Sequence, residues 1–204
     1  MSAIKVVLLD IGGVLVELVG APKILGWMGG SVAMEELNHK WGNSEAVTRF
    51  ETGRCEPIHF AEAIVTELKL SVQPDQFLKE FVHFPKDFFP EAKDILKKIV
   101  SNYTVASFSN TNSLQWDRLN LDYGIEQLFH NNFLSYQIGL MKPDKQAYEY
   151  VVRQLGCEAE EILFFDDSQA NVNMGNEIGM KAYKVSGARE LLEKLTELNI
   201  ILEQ

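Results

Sequence analysis

Polar side chains that can bind a metal ion or a phosphate group follow several short apolar runs of the chain. They are Asp10, Ser109 with Asn110, and the pair Asp166 and Asp167. In open α/β sheets, ligands bind outside the carboxyl ends of the strands. Because each of these side chains stands where an apolar run ends, we expect them to meet at one edge of a sheet.

Three of these side chains are carboxylates, namely Asp10, Asp166 and Asp167, and the apolar runs before them supply no opposite charge. Carboxylates held close together raise one another's pKa unless a cation is shared between them. A hard divalent cation with oxygen ligands meets that need, and the lack of nearby His or Cys favours Mg²⁺ over Zn²⁺. The sequence therefore predicts a magnesium site.

Lys142 lies in a loop just before a predicted helix and offers a positive point charge. Ser109 and the backbone amides around Asn110 can donate hydrogen bonds to phosphate oxygens. Each feature alone has an ordinary structural explanation, because single Asp residues often form turns and Ser-Asn pairs often cap helices. Their occurrence together at strand ends favours one phosphate-handling site.

Four runs are apolar without alternation, which is typical of strands buried on both faces of a parallel sheet. They span Ile4–Leu9, Tyr103–Phe108, Ile162–Phe165 and Lys181–Val185. Between them, Pro90–Val100 and Asp144–Leu155 carry apolar residues at helical spacing, and Gly156 ends the second segment. Strands that alternate with helices predict a doubly wound, Rossmann-like α/β fold with a parallel sheet.

Residues 18–86 break this alternation, since they contain amphipathic helical segments and no clear buried strand. Among these helical segments are Val32–Lys40, Glu45–Glu51 and Pro57–Leu70. We therefore predict a catalytic core of residues 1–17 and 87–204, with a small α-helical cap domain of residues 18–86 inserted after the first strand.

For three further segments the sequence predicts only the local structure. Gly20–Ser31 is predicted to be a mobile loop, although packing of Trp27 inside the insert is favoured over its exposure. The aromatic stretch His83–Pro90 is expected to pack the junction between insert and core. Ala188–Leu202, rich in Leu and Glu, is expected to form a final amphipathic helix.

The formal net charge is −10, from 19 Lys and Arg against 29 Asp and Glu, which disfavours a surface for nucleic acid or anionic lipid. No apolar run reaches transmembrane length, and the N-terminal residues lack the cleavage pattern of a signal peptide. Cys55 and Cys157 form no metal-binding pair, which fits a reducing compartment. We predict a cytoplasmic protein without nucleic-acid or membrane partners, and the sequence leaves its oligomeric state open.

Four segments, in order, resemble the motifs of the haloacid dehalogenase-like hydrolases that carry a small helical cap. They are Leu8–Leu18, Val105–Asn112, Leu140–Asp144 and Leu163–Met180. Each motif alone is weak, but their order and spacing make the resemblance specific over nearly the whole chain. The segment Arg49–Ile64 also resembles the cap of bacterial sugar-phosphate phosphatases of the α-glucose-1-phosphate type.

The resemblance implies a role for the acidic edge of the sheet. Asp10 would be the nucleophile that forms an aspartyl-phosphate, and would bind Mg²⁺ together with Asp167 and the backbone carbonyl of Gly12. Asp166 would support the metal or its waters from beside it. Asn171, four residues after Asp167, would orient a ligand or a water molecule.

The resemblance also implies that Ser109, Asn110 and Lys142 bind the transferring phosphoryl group, with Ser109 and Lys142 taking part in catalysis. The implied function is Mg²⁺-dependent hydrolysis of the phosphate ester of a small phosphorylated metabolite, with a sugar phosphate favoured.

Gly12 is the departure from the family pattern. Phosphatases of this family usually carry a second Asp two residues after the nucleophile, which acts as general acid and then as general base. That side chain is absent here, and such catalysis is worth about 10²- to 10⁴-fold in rate. Since a subgroup resembling sugar-phosphate phosphatases also has glycine there, we expect a cap residue, a metal-bound water or a well-behaved leaving group to compensate.

Two alternative functions stay open. A 2-haloacid dehalogenase would use Asp10 without a metal, although Asp166 and Asp167 would repel a carboxylate substrate. A catalytically weak phosphate-binding or regulatory protein would follow from the missing acid at Gly12. The retention of the other predicted site residues argues against it.

Overall fold

A computed structural model of the chain describes residues 3–30 and 32–201. Its strands are β1 (Val6–Leu9), β2 (Val16–Leu18), β3 (Pro85–Phe88), β4 (Thr104–Ser109), β5 (Asn131–Leu134), β6 (Ile162–Asp166) and β7 (Lys181–Lys184). Five of them form a parallel sheet in the order β5-β4-β1-β6-β7. The first strand therefore lies at the centre of the sheet.

The helices connect these strands and cover the sheet. They are α1 (Gly20–Trp27), α2 (Met34–Gly42), α3 (Glu45–Glu51), α4 (Pro57–Glu67), α5 (Pro74–Phe81), α6 (Ala92–Val100), α7 (Ser113–Tyr123), α8 (Ser135–Ile138), α9 (Lys145–Leu155), α10 (Gln169–Glu177) and α11 (Gly187–Glu197). Short 3₁₀ turns span Ile125–Leu128 and Ala159–Glu161. The predicted helices in the core region are present, with ends that differ by a few residues.

Both faces of the sheet carry an apolar core. Residues of α6, α7 and α11 pack on one face, among them Ile95, Trp116 and Leu191. Residues of α9 and α10, including Tyr148 and Val172, pack on the other. Because helices cover both faces, the central strand is buried along its whole length, as its continuous apolar sequence predicted. The doubly wound α/β fold is thus confirmed.

The sheet has one strand more than the four that the apolar runs predicted. The added strand, β5, has the sequence NNFL and pairs with β4 at the edge of the sheet. Its first two residues are polar, the first exposed and the second half-buried, because one side of an edge strand faces solvent. An apolar run therefore gave no signal for it.

The prediction of a mobile loop at Gly20–Ser31 is wrong for the described part, since most of it is helix α1. Ser31 lies outside the described residues. The ring centroid of Trp27 lies 5.9 Å from that of Phe77 and 6.4 Å from that of Phe84. Aromatic packing inside the insert therefore orders a segment whose glycines had suggested a loop.

The segment His83–Pro90 contains a strand that the sequence did not predict. Its strand β3 pairs antiparallel with β2, with Val16 opposite Phe88 and Leu18 opposite Pro85. The two connections between the insert and the sheet thus run side by side as a short ribbon. The strand is four residues long and begins with proline, so its pattern is too short to be recognised.

Helices α1 to α5 lie between the two strands of this ribbon and have an apolar cluster of their own. The rings of Phe50 and Phe60 stack at its centre, 4.3 Å apart between centroids. A cap domain with boundaries at residues 18 and 86 stays a prediction. Within the described part of the chain, none of the helices has the length and apolar character that crossing a membrane requires.

Candidate active site

The predicted site residues lie together at the carboxyl edge of the sheet. In the sheet register Leu9 is opposite Phe165, so the residues that follow, Asp10 and Asp166, are neighbours. A cavity of about 690 Å³ opens above them. From the core it is lined by Asp10, Gly12, Ser109, Asn110, Lys142, Asp167 and Asn171, among others. The structure therefore places seven of the eight predicted residues on one cavity, and Asp166 lies buried beside it.

Lys142 is the buried positive charge of this site, with only 2% of the residue exposed. Its Nζ lies 3.1 Å from Asp10 Oδ1 and 2.5 Å from Asp166 Oδ2, and donates to the Phe108 carbonyl at 2.7 Å. Burial by itself lowers the pKa of Lys142, but Asp10 and Asp166 raise it above its ordinary value. The amine is therefore charged, and links the two carboxylates.

Asp166 is completely buried, and both of its oxygens are already hydrogen-bonded. Oδ2 accepts from Lys142, while Oδ1 accepts from the Ser168 amide at 2.8 Å and from Asn171 Nδ2 at 2.9 Å. The carbonyl of Asn171 in turn accepts from the Tyr148 hydroxyl at 2.9 Å. Asp166 and Asn171 therefore hold Lys142 in position, a task that the sequence analysis had not assigned to them.

Asp10, Asp166 and Asp167 have carboxylate oxygens within 4.8 Å of one another. Since the oxygens of Asp166 are occupied, Asp10 and Asp167 are the carboxylates left to bind a cation. Burial raises the pKa of Asp10 to about 7 despite the nearby Lys142, and Asp166 and Asp167 add to the effect. Burial, together with Asp166, also raises the pKa of Asp167. Two carboxylates whose ionised forms lack enough positive charge fit a hard divalent cation such as Mg²⁺, because such a cation supplies charge and prefers oxygen ligands.

Gly13 allows the turn after β1 to approach Asp167. Its φ is +73°, and a Cβ at this position would lie 2.2 Å from Asp167 Oδ2. A side chain at residue 13 would therefore be strained and would also displace the carboxylate. At Gly12, by contrast, the nearest atom to an added Cβ is Leu18 Cδ1 at 3.1 Å, the end of a flexible side chain.

The loop after β4 presents Ser109 to the cavity and uses Asn110 elsewhere. Asn110 Oδ1 accepts from the Lys142 amide at 2.8 Å, and its Nδ2 donates to the Lys142 carbonyl at 2.8 Å. Its side chain thus fixes the backbone of Lys142 and is not free for phosphate. Ser109 Oγ has no hydrogen-bond partner among residues 3–30 and 32–201, so it is available to a ligand.

Glu51 is a site residue that the sequence analysis did not single out. It ends α3 in the insert and lines the same cavity as Asp10. Burial raises its pKa to about 7, with Asp10 adding to the effect and Lys142 opposing it. A signal was present, because Glu51 follows the buried Val47 by four residues and so lies on the apolar side of its helix.

The remaining wall of the cavity, over the carboxyl edge of the sheet, comes from the insert. Its side chains are mostly apolar and include Ile24, Leu37, Trp41, Phe81 and Phe84. Asn38 adds a polar group. The cavity therefore has a charged floor and a largely apolar roof, so a phosphate would lie at one end and its organic substituent at the other.

Comparison with known proteins agrees with this geometry. A family model for haloacid dehalogenase-like hydrolases matches residues 4–179. A D-ribitol-5-phosphate phosphatase from Bacteroides thetaiotaomicron is 20% identical over 201 residues, covering 95% of this chain and 97% of that protein. A sesquiterpene phosphatase from Aspergillus oryzae is 24% identical over 162 residues, covering 76% and 80% respectively.

Two solved structures are similar over most of their length. A haloacid dehalogenase family enzyme from Bacteroides thetaiotaomicron, in complex with magnesium and inorganic phosphate, has a TM-score of 0.73 and 26% identity, covering 89% of this chain and 94% of that one. A predicted hydrolase from Porphyromonas gingivalis has a TM-score of 0.78 at 21% identity, with both chains fully covered. Since the family model spans most of the chain, this protein belongs to the haloacid dehalogenase-like hydrolases.

Proposed function

We propose that this hydrolase is a Mg²⁺-dependent phosphatase that transfers the phosphoryl group of a small phosphate monoester to Asp10. The observation that supports it best is the buried Lys142, which lies 3.1 Å from Asp10 and shares a cavity with Ser109. This arrangement offers a nucleophilic carboxylate beside donors for phosphate oxygens. Relatives named as phosphatases, and one solved with magnesium and phosphate, support the same proposal.

In this mechanism an Asp10 oxygen attacks phosphorus, and the bond from phosphorus to the ester oxygen breaks. Ser109 donates to a phosphoryl oxygen, and the charge of Lys142 beside Asp10 balances the charge of the phosphoryl group. Asp10, Asp167 and the Gly12 carbonyl would hold Mg²⁺, which neutralises the carboxylates and the phosphate. Water then hydrolyses the aspartyl-phosphate and restores Asp10.

The substrate in this proposal is a small phosphorylated metabolite, with a sugar or polyol phosphate favoured. A cavity of about 690 Å³ lies in the range of small-molecule sites. The relative from Bacteroides thetaiotaomicron acts, by its name, on a polyol phosphate. The polar Asn38 and Glu51 in the roof are groups that could meet hydroxyls. The predicted cytoplasmic location stays part of this proposal.

The test is a panel of phosphate esters with and without Mg²⁺. We expect phosphate release that requires Mg²⁺ and falls by at least about 10³-fold in Asp10→Asn, because the amide is a poor nucleophile. Asp94→Asn is the control, since this aspartate is 74% exposed on α6 and remote from the cavity.

Other outcomes would favour the other functions. Halide release from a 2-haloacid without Mg²⁺ would mean that the protein is a dehalogenase. Binding of beryllium fluoride at Asp10 without turnover of any ester would mean that it binds phosphate without hydrolysing it.

A further inference from the structure

The insert places one unpaired carboxyl group, that of Glu51, in the wall of the cavity above the carboxyl edge of the sheet. The Glu51 side chain has no hydrogen bond or ion pair among residues 3–30 and 32–201. It is nevertheless partly buried and lines the cavity above Asp10. Carboxyl groups in such places are normally paired, since burying an unpaired one is costly. We therefore expect the Glu51 carboxyl to contact a ligand in the cavity.

The protein holds Glu51 in this place through a close contact with the core. Gly53, two residues after the end of α3, has a φ of +71°, and a Cβ there would lie 2.4 Å from the Tyr136 carbonyl of α8. The Thr52 hydroxyl also donates to the Thr48 carbonyl at 2.5 Å and accepts from Arg54 Nε at 2.9 Å. The end of α3 is thus fixed against the core, and Glu51 with it.

The core side of the site has no side chain that can protonate the leaving group, and Glu51 can supply this proton. At Gly12 there is no side chain, Asp10 and Asp167 are the carboxylates left for a cation, and Lys142 is occupied by two carboxylates. Lys184 also lines the cavity, but it is exposed beside Asp167. Of the lining residues, Glu51 is the acid that comes from the roof, where the organic substituent would lie.

We propose that Glu51 is the general acid of this enzyme, giving its proton to the ester oxygen of the leaving group. As the Asp10 oxygen bonds to phosphorus, the bond from phosphorus to the ester oxygen breaks, and that oxygen takes the Glu51 proton to leave as an alcohol. The Glu51 carboxylate then takes a proton from the water that hydrolyses the aspartyl-phosphate. Both carboxyl groups return to their starting states.

Electrostatics agree with this assignment. Burial and the nearby Asp10 raise the pKa of Glu51 to about 7, and Lys142 is the charged group that opposes them. A carboxyl group with a pKa in this range is protonated in a useful fraction near neutral pH, and its carboxylate can take the proton back. The inference rests on the proposed phosphatase activity.

The experiment compares two leaving groups in Glu51→Gln. With glycerol 2-phosphate, whose alkoxide needs a proton, we expect kcat/KM, which reports the steps up to departure of the leaving group, to fall about 10²-fold or more. With 2,4-dinitrophenyl phosphate, whose phenolate leaves unprotonated, we expect kcat/KM to fall less than about threefold, because general acid catalysis contributes little there. Glu45→Gln, an exposed acid on the same helix, should leave both rates unchanged.

The outcomes separate this inference from the proposed function. If the unaltered protein hydrolyses neither these two esters nor any other ester of the panel with Mg²⁺, the proposed function fails. If it hydrolyses both and Glu51→Gln lowers kcat/KM equally for the two esters, Glu51 is not the acid. Glu51→Ala, a second variant in case the first folds poorly, must show the same dependence on the leaving group.

Discussion

At the scale of single residues, the carboxyl group of Asp10, the proposed nucleophile, lies in a buried environment that disfavours its ionisation. Burial and two neighbouring carboxylates raise its pKa from 3.8 to about 7. Between pH 3.8 and about 7, Asp10 of the metal-free protein is therefore protonated in the folded state and ionised in the unfolded state. By linkage, the free energy of unfolding falls as the pH rises through this window.

We predict that Asp10→Asn stabilises the metal-free protein at pH 8, because Asn carries no charge to bury. The gain should be about 2–4 kcal/mol, from the size of the shift, and should shrink towards zero as the pH is lowered to about 4. Urea denaturation in EDTA at several pH values measures it. A difference in unfolding free energy that does not change with pH would contradict the prediction.

At the scale of elements, the turn between β1 and β2 brings the backbone within reach of Asp167. We predict that Gly13→Ala weakens activation by Mg²⁺ about tenfold or more, because the new Cβ would displace an Asp167 oxygen. The Mg²⁺ concentration for half-maximal phosphate release measures this effect.

Gly29→Ala is the matched control for this variant. Gly29 also has a positive φ, of +87°, but nothing lies within 4 Å of an added Cβ. This variant bears the backbone strain alone, so it should lose some stability and keep its Mg²⁺ requirement. Equal losses of Mg²⁺ activation in both variants would show that strain, and not contact with Asp167, is the cause.

At the scale of the whole molecule, the metal should act as a stabiliser of the fold. The proposed Mg²⁺ ligands Asp10 and Asp167 lie far apart in sequence, and their carboxylates come together only in the folded chain. We predict that Mg²⁺ at about 100 times its Kd adds about 2.7 kcal/mol to the free energy of unfolding. Thermal melts in MgCl₂ measure this, with NaCl of equal ionic strength as control.

The same melts in Asp167→Asn should show little rise in Tm with MgCl₂, because one of the two free carboxylates is gone. A rise equal to that of the unaltered protein would place the bound metal elsewhere. Since this readout does not depend on turnover, it tests the metal site separately from the phosphatase activity.

The sequence by itself determined the fold class and most of the catalytic edge. Continuous apolar runs predicted the central strands, because strands buried on both faces have no polar side to alternate. Asp10, Ser109 and Asp167 could be found since each stands at the end of such a run, and parallel strands bring these ends together. The edge strand β5 and the β2–β3 ribbon escaped, because short or half-exposed strands leave no comparable pattern.

Only the tertiary structure decided which groups each side chain contacts. Asp166, Asn171 and Asn110 were expected near metal or phosphate, yet Asp166 and Asn110 hydrogen-bond Lys142, and Asn171 hydrogen-bonds Asp166. Glu51 is distant from Asp10 in sequence and reaches the cavity through the folding of the insert. Spacing along a strand or helix predicts which residues share an edge or a face. Partners that come from different elements depend on packing, which local sequence does not encode.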